Sequence, residues 1–174
     1  HNRIKRKYGG ITMNIKVSNY RSAFDYVYNH SGYIKNKEFA IISIQEYPED
    51  IMGMQYKAGG HCKAALNLWF SDVNSEKSED KERYIKKITE EDARKIKDFI
   101  DAIKRMGVND LIVHCHAGVS RSAAVAAAIS RAETGDDSEF FNSQYVPNMT
   151  VYYTVLKAFG FDNTPIMLVD NKTT

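Results

Sequence analysis

Residues 110–134, DLIVHCHAGVSRSAAVAAAISRAET, decide the fold. The stretch opens on the continuous apolar run Leu111-Ile112-Val113, which reads as a short strand buried on both faces. From Ser120 onward the alanine-rich SRSAAVAAAISRAETG predicts a helix whose small side chains let it lie close against a sheet. Only a tight loop separates the two. A buried strand that turns at once into a helix belongs to an α/β arrangement.

Working outward, TEEDARKIKDFIDAIKRMG is the clearest helix, with Thr89 as cap, Asp92 three residues on, Gly107 at its end, and Ala93, Ile96, Phe99, Ile100 and Ile103 facing inward. NIKVS, EFAIISIQ and AALNLWF read as three further strands. The segment NYRSAFDYVYNHSG reads as a helix with Ala23, Phe24, Val27 and Tyr28 on one inward face. The Pro- and Gly-containing EYPEDIMGMQYKAGG is a loop, and SDVNSEKSEDKERYIKK is a charged, mainly exposed insertion. Beyond Ser138 a short and a longer helix are expected, split at Pro147. The expectation is an α/β fold with a central, mainly parallel sheet of about four or five strands flanked by helices.

Composition excludes several classes. With 24 basic and 22 acidic residues in 174, the net charge of +2 gives no general attraction to nucleic acid or to an anionic membrane. The apolar run AAVAAAI is far shorter than the roughly 20 residues of a membrane span. Two cysteines, Cys62 and Cys115, form neither a disulfide framework nor a zinc site, so a reducing, cytoplasmic setting is expected. Residues 1–12 read as a basic solvated tail ahead of Met13, a candidate natural start, and residues 13–174 as one domain.

Both cysteines follow a histidine, in HCKAALNLW at 61–69 and HCHAGVSRS at 114–122. Only the second carries what a thiolate attacking a phosphate ester needs. Cys115 ends a strand, and the following helix directs its N-terminal amides and positive dipole end toward the sulfur, which favours the thiolate. Gly118 lets the backbone turn its amides inward into an anion nest, and Arg121 presents a planar fork for two phosphoryl oxygens. Ser122 is placed to donate to the sulfur. Around Cys62, Ala65 and Leu68 stand where the glycine and arginine would be, so Cys62 reads as a small buried hydrophobe and His61 as a loop histidine. A protective disulfide between the two cysteines is the sharper, less favoured alternative.

The spacing His114-Cys115-x-x-Gly118-x-x-Arg121-Ser122 resembles the signature of the cysteine-dependent protein tyrosine phosphatase superfamily. The preceding helix and the later Pro147-Asn148 are similar to those of its compact dual-specificity members. The order ITMNIKVS, FAIISI, LNLWFSDV is similar to small predicted tyrosine phosphatases of bacteria and phages. The resemblance implies phosphomonoester hydrolysis through a phosphocysteine, with Cys115 as nucleophile, and with the backbone of His116, Ala117, Gly118, Val119 and Ser120 cradling the phosphoryl group together with Arg121. His114 would order the loop. It implies a phosphorylated protein as partner, tyrosine-preferring or dual-specific, and no metal or other cofactor.

Members of that family carry an aspartate ahead of the signature as general acid. Asp72, directly after a strand and 43 residues before Cys115, is the preferred candidate, with Glu79 and Asp80 in the charged insertion as rivals. No lysine stands between Cys115 and Arg121, which weighs against a phosphoinositide substrate. Trp69 and the tyrosines could wall a phosphotyrosine slot, although an aromatic beside a strand is more often core. Two other activities share some features: a phospho-binding module without turnover, and a rhodanese-type sulfurtransferase, whose anion loop is typically shorter.

Overall fold

Strands β1 (Asn14–Ser18), β2 (Phe39–Gln45), β3 (Cys62–Trp69) and β4 (Asp110–His114) form one sheet in the order β1-β4-β2-β3, and every neighbouring pair is parallel. Around it lie α1 (Tyr20–Tyr28), α2 (Glu90–Arg105), α3 (Arg121–Thr134) and α4 (Met149–Ala158), with a 3-10 turn at Ser138–Phe140. The structure, a computed structural model, describes residues 12–29, 36–47, 55–73 and 85–161. Nearly all of the basic tail and most of the charged insertion, with Glu79 and Asp80, lie outside the described residues. No described helix is long and apolar enough to cross a membrane.

The two central strands are apolar on both faces because both faces are covered. Leu111 and Val113 of β4, with Ala40, Ile42 and Ile44 of β2, pack under α2, α3 and α4. The alternate residues Ile112, Phe39 and Ile41 pack with Ala23 and Val27 of α1. Helix α3 is the innermost helix, buried from Arg121 through Ser130, and its alanines let the sheet and α4 approach that closely. The capping box expected for α2 is present: the Thr89 hydroxyl accepts from the Asp92 amide, and the Asp92 carboxylate accepts from the Thr89 amide.

One expectation for α1 requires correction. Ala23 and Val27 face the sheet, but Phe24 and Tyr28 do not share that face and are exposed. Each lies one residue, about 100°, further round the helix than its buried neighbour, and the small Ala23 and Val27 already fill the contact with the sheet.

Parallel register aligns the carboxyl ends of the strands. Ser18 of β1 and Ser43 of β2 both pair with His114, so Cys115 emerges at the common edge where three strands finish. Cys62 lies at the opposite edge, level with Phe39 and hence with Asp110. Five residues of strand rise, about 16 Å, and two strand spacings therefore separate the sulfurs, far beyond the reach of roughly 7 Å between Cα atoms that a disulfide allows. Both cysteines are free thiols.

Candidate active site

The loop from Cys115 to Ser120 joins the carboxyl end of β4 to the start of α3 and curls around the sulfur. Cys115 Sγ lies 3.1 Å from the Ser122 hydroxyl and accepts the Gly118 amide at 3.3 Å. Burial opposes ionisation of this thiol. The Ser122 hydroxyl, the Ser122 and Gly118 amides and the Arg121 charge outweigh it and hold the thiol below its ordinary range. Cys62 has no such donors, and burial pushes it up to about 11. The two His-Cys pairs differ for that reason.

Gly118 has φ of +72°, and a Cβ there would stand 2.6 Å from the Ser18 carbonyl carbon and 2.7 Å from the Asn19 nitrogen. The loop is wedged against the end of β1, where only glycine fits. Ser120, at the N-cap position of α3, makes no side-chain cap. Its hydroxyl donates instead to Asp72 Oδ1 at 2.8 Å.

Arg121 is buried with its guanidinium clamped on two sides. Nη1 donates to the Phe70 carbonyl at 2.9 Å and Nη2 to Glu46 Oε2 at 3.0 Å. Its buried Nε has no hydrogen-bond partner among the described residues. Asp72 is exposed and, among the described residues, is held through one oxygen: Oδ1 accepts from both Ser120 Oγ and Asn148 Nδ2, each at 2.8 Å. Asn148 is buried, caps α4 by accepting from the Val151 amide, and also donates to the Val73 carbonyl. One amide side chain thus joins the Asp72 segment to the last helix.

His114 faces the α1 side of the sheet. A carbonyl can only accept, so Nδ1–H donates to the Cys115 carbonyl at 3.3 Å and Nε2 accepts from the Ser43 hydroxyl at 2.7 Å. Burial, reinforced by the Arg121 charge, lowers its pKa to about 4, against a hydrogen bond to Cys115 that raises it. The imidazole is a neutral brace at physiological pH. On the rim, the Tyr20 amide donates to the His116 carbonyl at 3.2 Å and the Val146 amide to the Val119 carbonyl at 3.0 Å. Trp69 lies on the edge strand under the Lys86 ammonium, 5.0 Å from its ring centroid.

The structure thus brings together Cys115, Gly118, Ser120, Arg121, Ser122, Asp72 and His114. Sequence reasoning missed Glu46 and the part played by Asn148. Glu46 had a readable signal: it follows β2 directly, as Asp72 lies just past β3, and in a parallel sheet the carboxyl ends build the site. Asn148 caps a helix, and its second bond joins segments too distant in sequence to be foreseen.

No family model matches the chain in sequence, and no curated protein does. Among solved structures, the chain is similar to the human tyrosine phosphatase-like serine/threonine/tyrosine-interacting protein, with a TM-score of 0.57 and 21% identity over 82% of this chain and 89% of that one. It is also similar to Tk-PTP in the active form, with a TM-score of 0.52 and 13% identity over 90% and 97% of the two chains. OH1 from the Orf virus, described as a tyrosine phosphatase with triple substrate specificity, matches with a TM-score of 0.52 and 13% identity over 88% and 92%. The chain has the fold of the cysteine-dependent protein tyrosine phosphatases.

Proposed function

We propose that the protein is a phosphatase of phosphorylated proteins, tyrosine-preferring or dual-specific, working through a phosphocysteine. The observation that carries this reading is the surroundings of Cys115 Sγ. A thiol held low by a hydroxyl, two amides and the Arg121 charge stands at a helix start without a side-chain cap, and the buried Nε of that arginine has no hydrogen-bond partner among the described residues.

In the first half-reaction the Cys115 thiolate attacks phosphorus in line, forming the S–P bond as the P–O ester bond breaks. The loop amides from His116 to Ser120 and the Arg121 fork bind the three equatorial oxygens, whose geometry and charge they match best in the transition state. Asp72 protonates the departing oxygen through Oδ2, the oxygen left over once Ser120 and Asn148 have engaged Oδ1. In the second half-reaction Asp72 takes a proton from water, which attacks phosphorus. The S–P bond breaks, and the Ser122 hydroxyl stabilises the thiolate as it leaves. Neutral His114 keeps the loop in register with β2 through Ser43 and exchanges no proton. Glu46 fixes Arg121 without touching substrate.

Turnover of para-nitrophenyl phosphate, followed by a panel of phosphotyrosyl and phosphoseryl peptides, tests the reading. Hydrolysis that is lost in Cys115→Ser and preserved in Cys62→Ser is expected. Peptide binding without turnover would establish a binding module in its place, and sulfur transfer from thiosulfate would establish the rhodanese alternative.

A further inference from the structure

Lys86, at the far end of the charged insertion, is bonded back to the segment that carries Asp72. The Ser71 amide donates to the Lys86 carbonyl at 2.7 Å, and the Lys86 amide donates to the Ser71 hydroxyl at 3.2 Å. The Lys86 ammonium donates to the Trp69 carbonyl at 3.1 Å and to the Asp92 carboxylate, 3.2 Å from Oδ1 and 3.0 Å from Oδ2. One residue thus grips the last residue of β3, the residue before Asp72, and the first turn of α2. Asp72 itself heads a tight turn, because the Val73 amide donates to the Ser71 carbonyl at 3.0 Å. Ser71 is the entry of that turn, so what holds Ser71 sets where the Asp72 carboxylate arrives over the loop.

The cap of α2 does not account for the ammonium. Thr89 already gives Asp92 Oδ2 an amide donor at 3.0 Å and a hydroxyl donor at 2.9 Å, and a capping box is complete without a cation. Asp92 is only 4% exposed, and a carboxylate so buried calls for a counter-charge. Held there, the ammonium makes a further bond to the Trp69 carbonyl, which α2 does not require. We infer that Lys86 is a positioning residue for the acid step, its ammonium tying the end of β3 to the buried start of α2 so that the turn at Asp72 meets the Cys115 loop at a fixed height. The inference rests on the phosphatase reading with Asp72 as the acid, and deepens it by adding the residue that sets the acid's reach. Ser120 and Asn148 hold Asp72 by its carboxylate, whereas Lys86 holds it by the chain that enters it.

The test compares wild type, Lys86→Met, Asp72→Ala, the double variant and a control, Lys157→Met. The control removes an exposed ammonium that is also paired to the first turn of α2, through Glu90. Substrates are a phosphotyrosyl peptide, whose leaving oxygen needs a proton, and dinitrophenyl phosphate, whose leaving group does not. Lys86→Met should lose about tenfold in kcat on the peptide and less than about twofold on the activated ester. Inhibition by vanadate should be unchanged, since the loop and Arg121 are intact. In the double variant Lys86→Met should add less than about twofold to the loss from Asp72→Ala, because both changes act on one step. Lys157→Met should match wild type on both esters. Should Lys86→Met not fold, Lys86→Gln, which keeps an N–H donor for Asp92 without the charge, is read by the same ratio. Full peptide activity, equal losses on the two esters, weaker vanadate inhibition or additive losses in the double variant would each overturn the role of Lys86 and leave the phosphatase reading intact. If Asp72→Ala loses equally on both esters, Asp72 is not the acid and the inference falls with it. If wild type turns over neither ester, the phosphatase reading falls as well.

Discussion

Arg121 and Glu46, 75 residues apart in sequence, meet at 3.0 Å beneath the loop. The arginine is only 4% exposed, and its second terminal nitrogen is held by the Phe70 carbonyl, so the fork is locked between the ends of β2 and β3. That arrangement suits a planar guanidinium and no other cation.

Arg121→Lys is therefore expected to lower kcat by roughly 10²–10³ despite retaining the charge. Glu46→Gln, which keeps an acceptor but removes the anion, should cost less, about three- to tenfold, as expected for a residue acting through another. Steady-state kinetics with an aryl phosphate, with inorganic phosphate as competitive inhibitor, distinguish the two. Equal losses would mean that Glu46 does more than hold the fork.

The contrast between the two thiols predicts selective labelling. At neutral pH iodoacetamide should alkylate Cys115 first and leave Cys62, pushed up to about 11 by burial, unmodified until the protein unfolds. Inorganic phosphate or vanadate should protect Cys115, and Cys115→Ser should still bind vanadate through the amides and Arg121. Peptide mapping by mass spectrometry reads the outcome; early labelling of Cys62 contradicts it.

Loss of Asp72 should depend on the leaving group. With a phosphotyrosyl peptide, Asp72→Ala should cost roughly 10²–10⁴ in rate, and less with an activated aryl ester that needs no proton. Asn148→Ala, which frees Asp72 from one of its two donors, should show the same leaving-group dependence at smaller amplitude. Glu79→Ala and Asp80→Ala are the controls, and the same leaving-group dependence in either, with Asp72→Ala unaffected, would transfer the acid to the charged insertion.

His114 makes stability fall in mild acid. Its pKa of about 4 in the folded protein lies below the ordinary value of 6.5, so the unfolded chain binds the extra proton first. Stability from this site is complete above about pH 6.5 and is lost as pH falls toward 4, by up to roughly 3 kcal/mol. Denaturant titrations across that window should show the slope in wild type and a flatter profile in His114→Asn. The same slope in both would place the titration elsewhere.

Much of the fold was legible because it depends on local rules. The continuous apolar run before Cys115 and the alanines after it required a strand and helix buried on all sides, and Thr89 with Asp92 marked the start of α2 correctly. The candidate nucleophile, Cys115, stood out from the same local context. What stayed hidden depends on register and rotation. The partner of Arg121 and the anchor of Asp72 come from strand and helix ends brought together only by the order β1-β4-β2-β3. The outward turn of Phe24 and Tyr28 could not be read because four apolar residues, at 23, 24, 27 and 28, fit either side of a short helix until the sheet selects the smaller pair.

The hydroxyl of Ser120 binds Asp72 where a capping residue would bind its own helix. An oxyanion bound in the loop, as proposed above, would offer the start of α3, the innermost helix, the acceptors that its own N-cap side chain does not. Occupancy and folding are then two readings of one equilibrium. An oxyanion at a hundred times its dissociation constant adds about 2.7 kcal/mol to global stability. The midpoint of thermal unfolding becomes a direct gauge of how well any phosphate mimic fits.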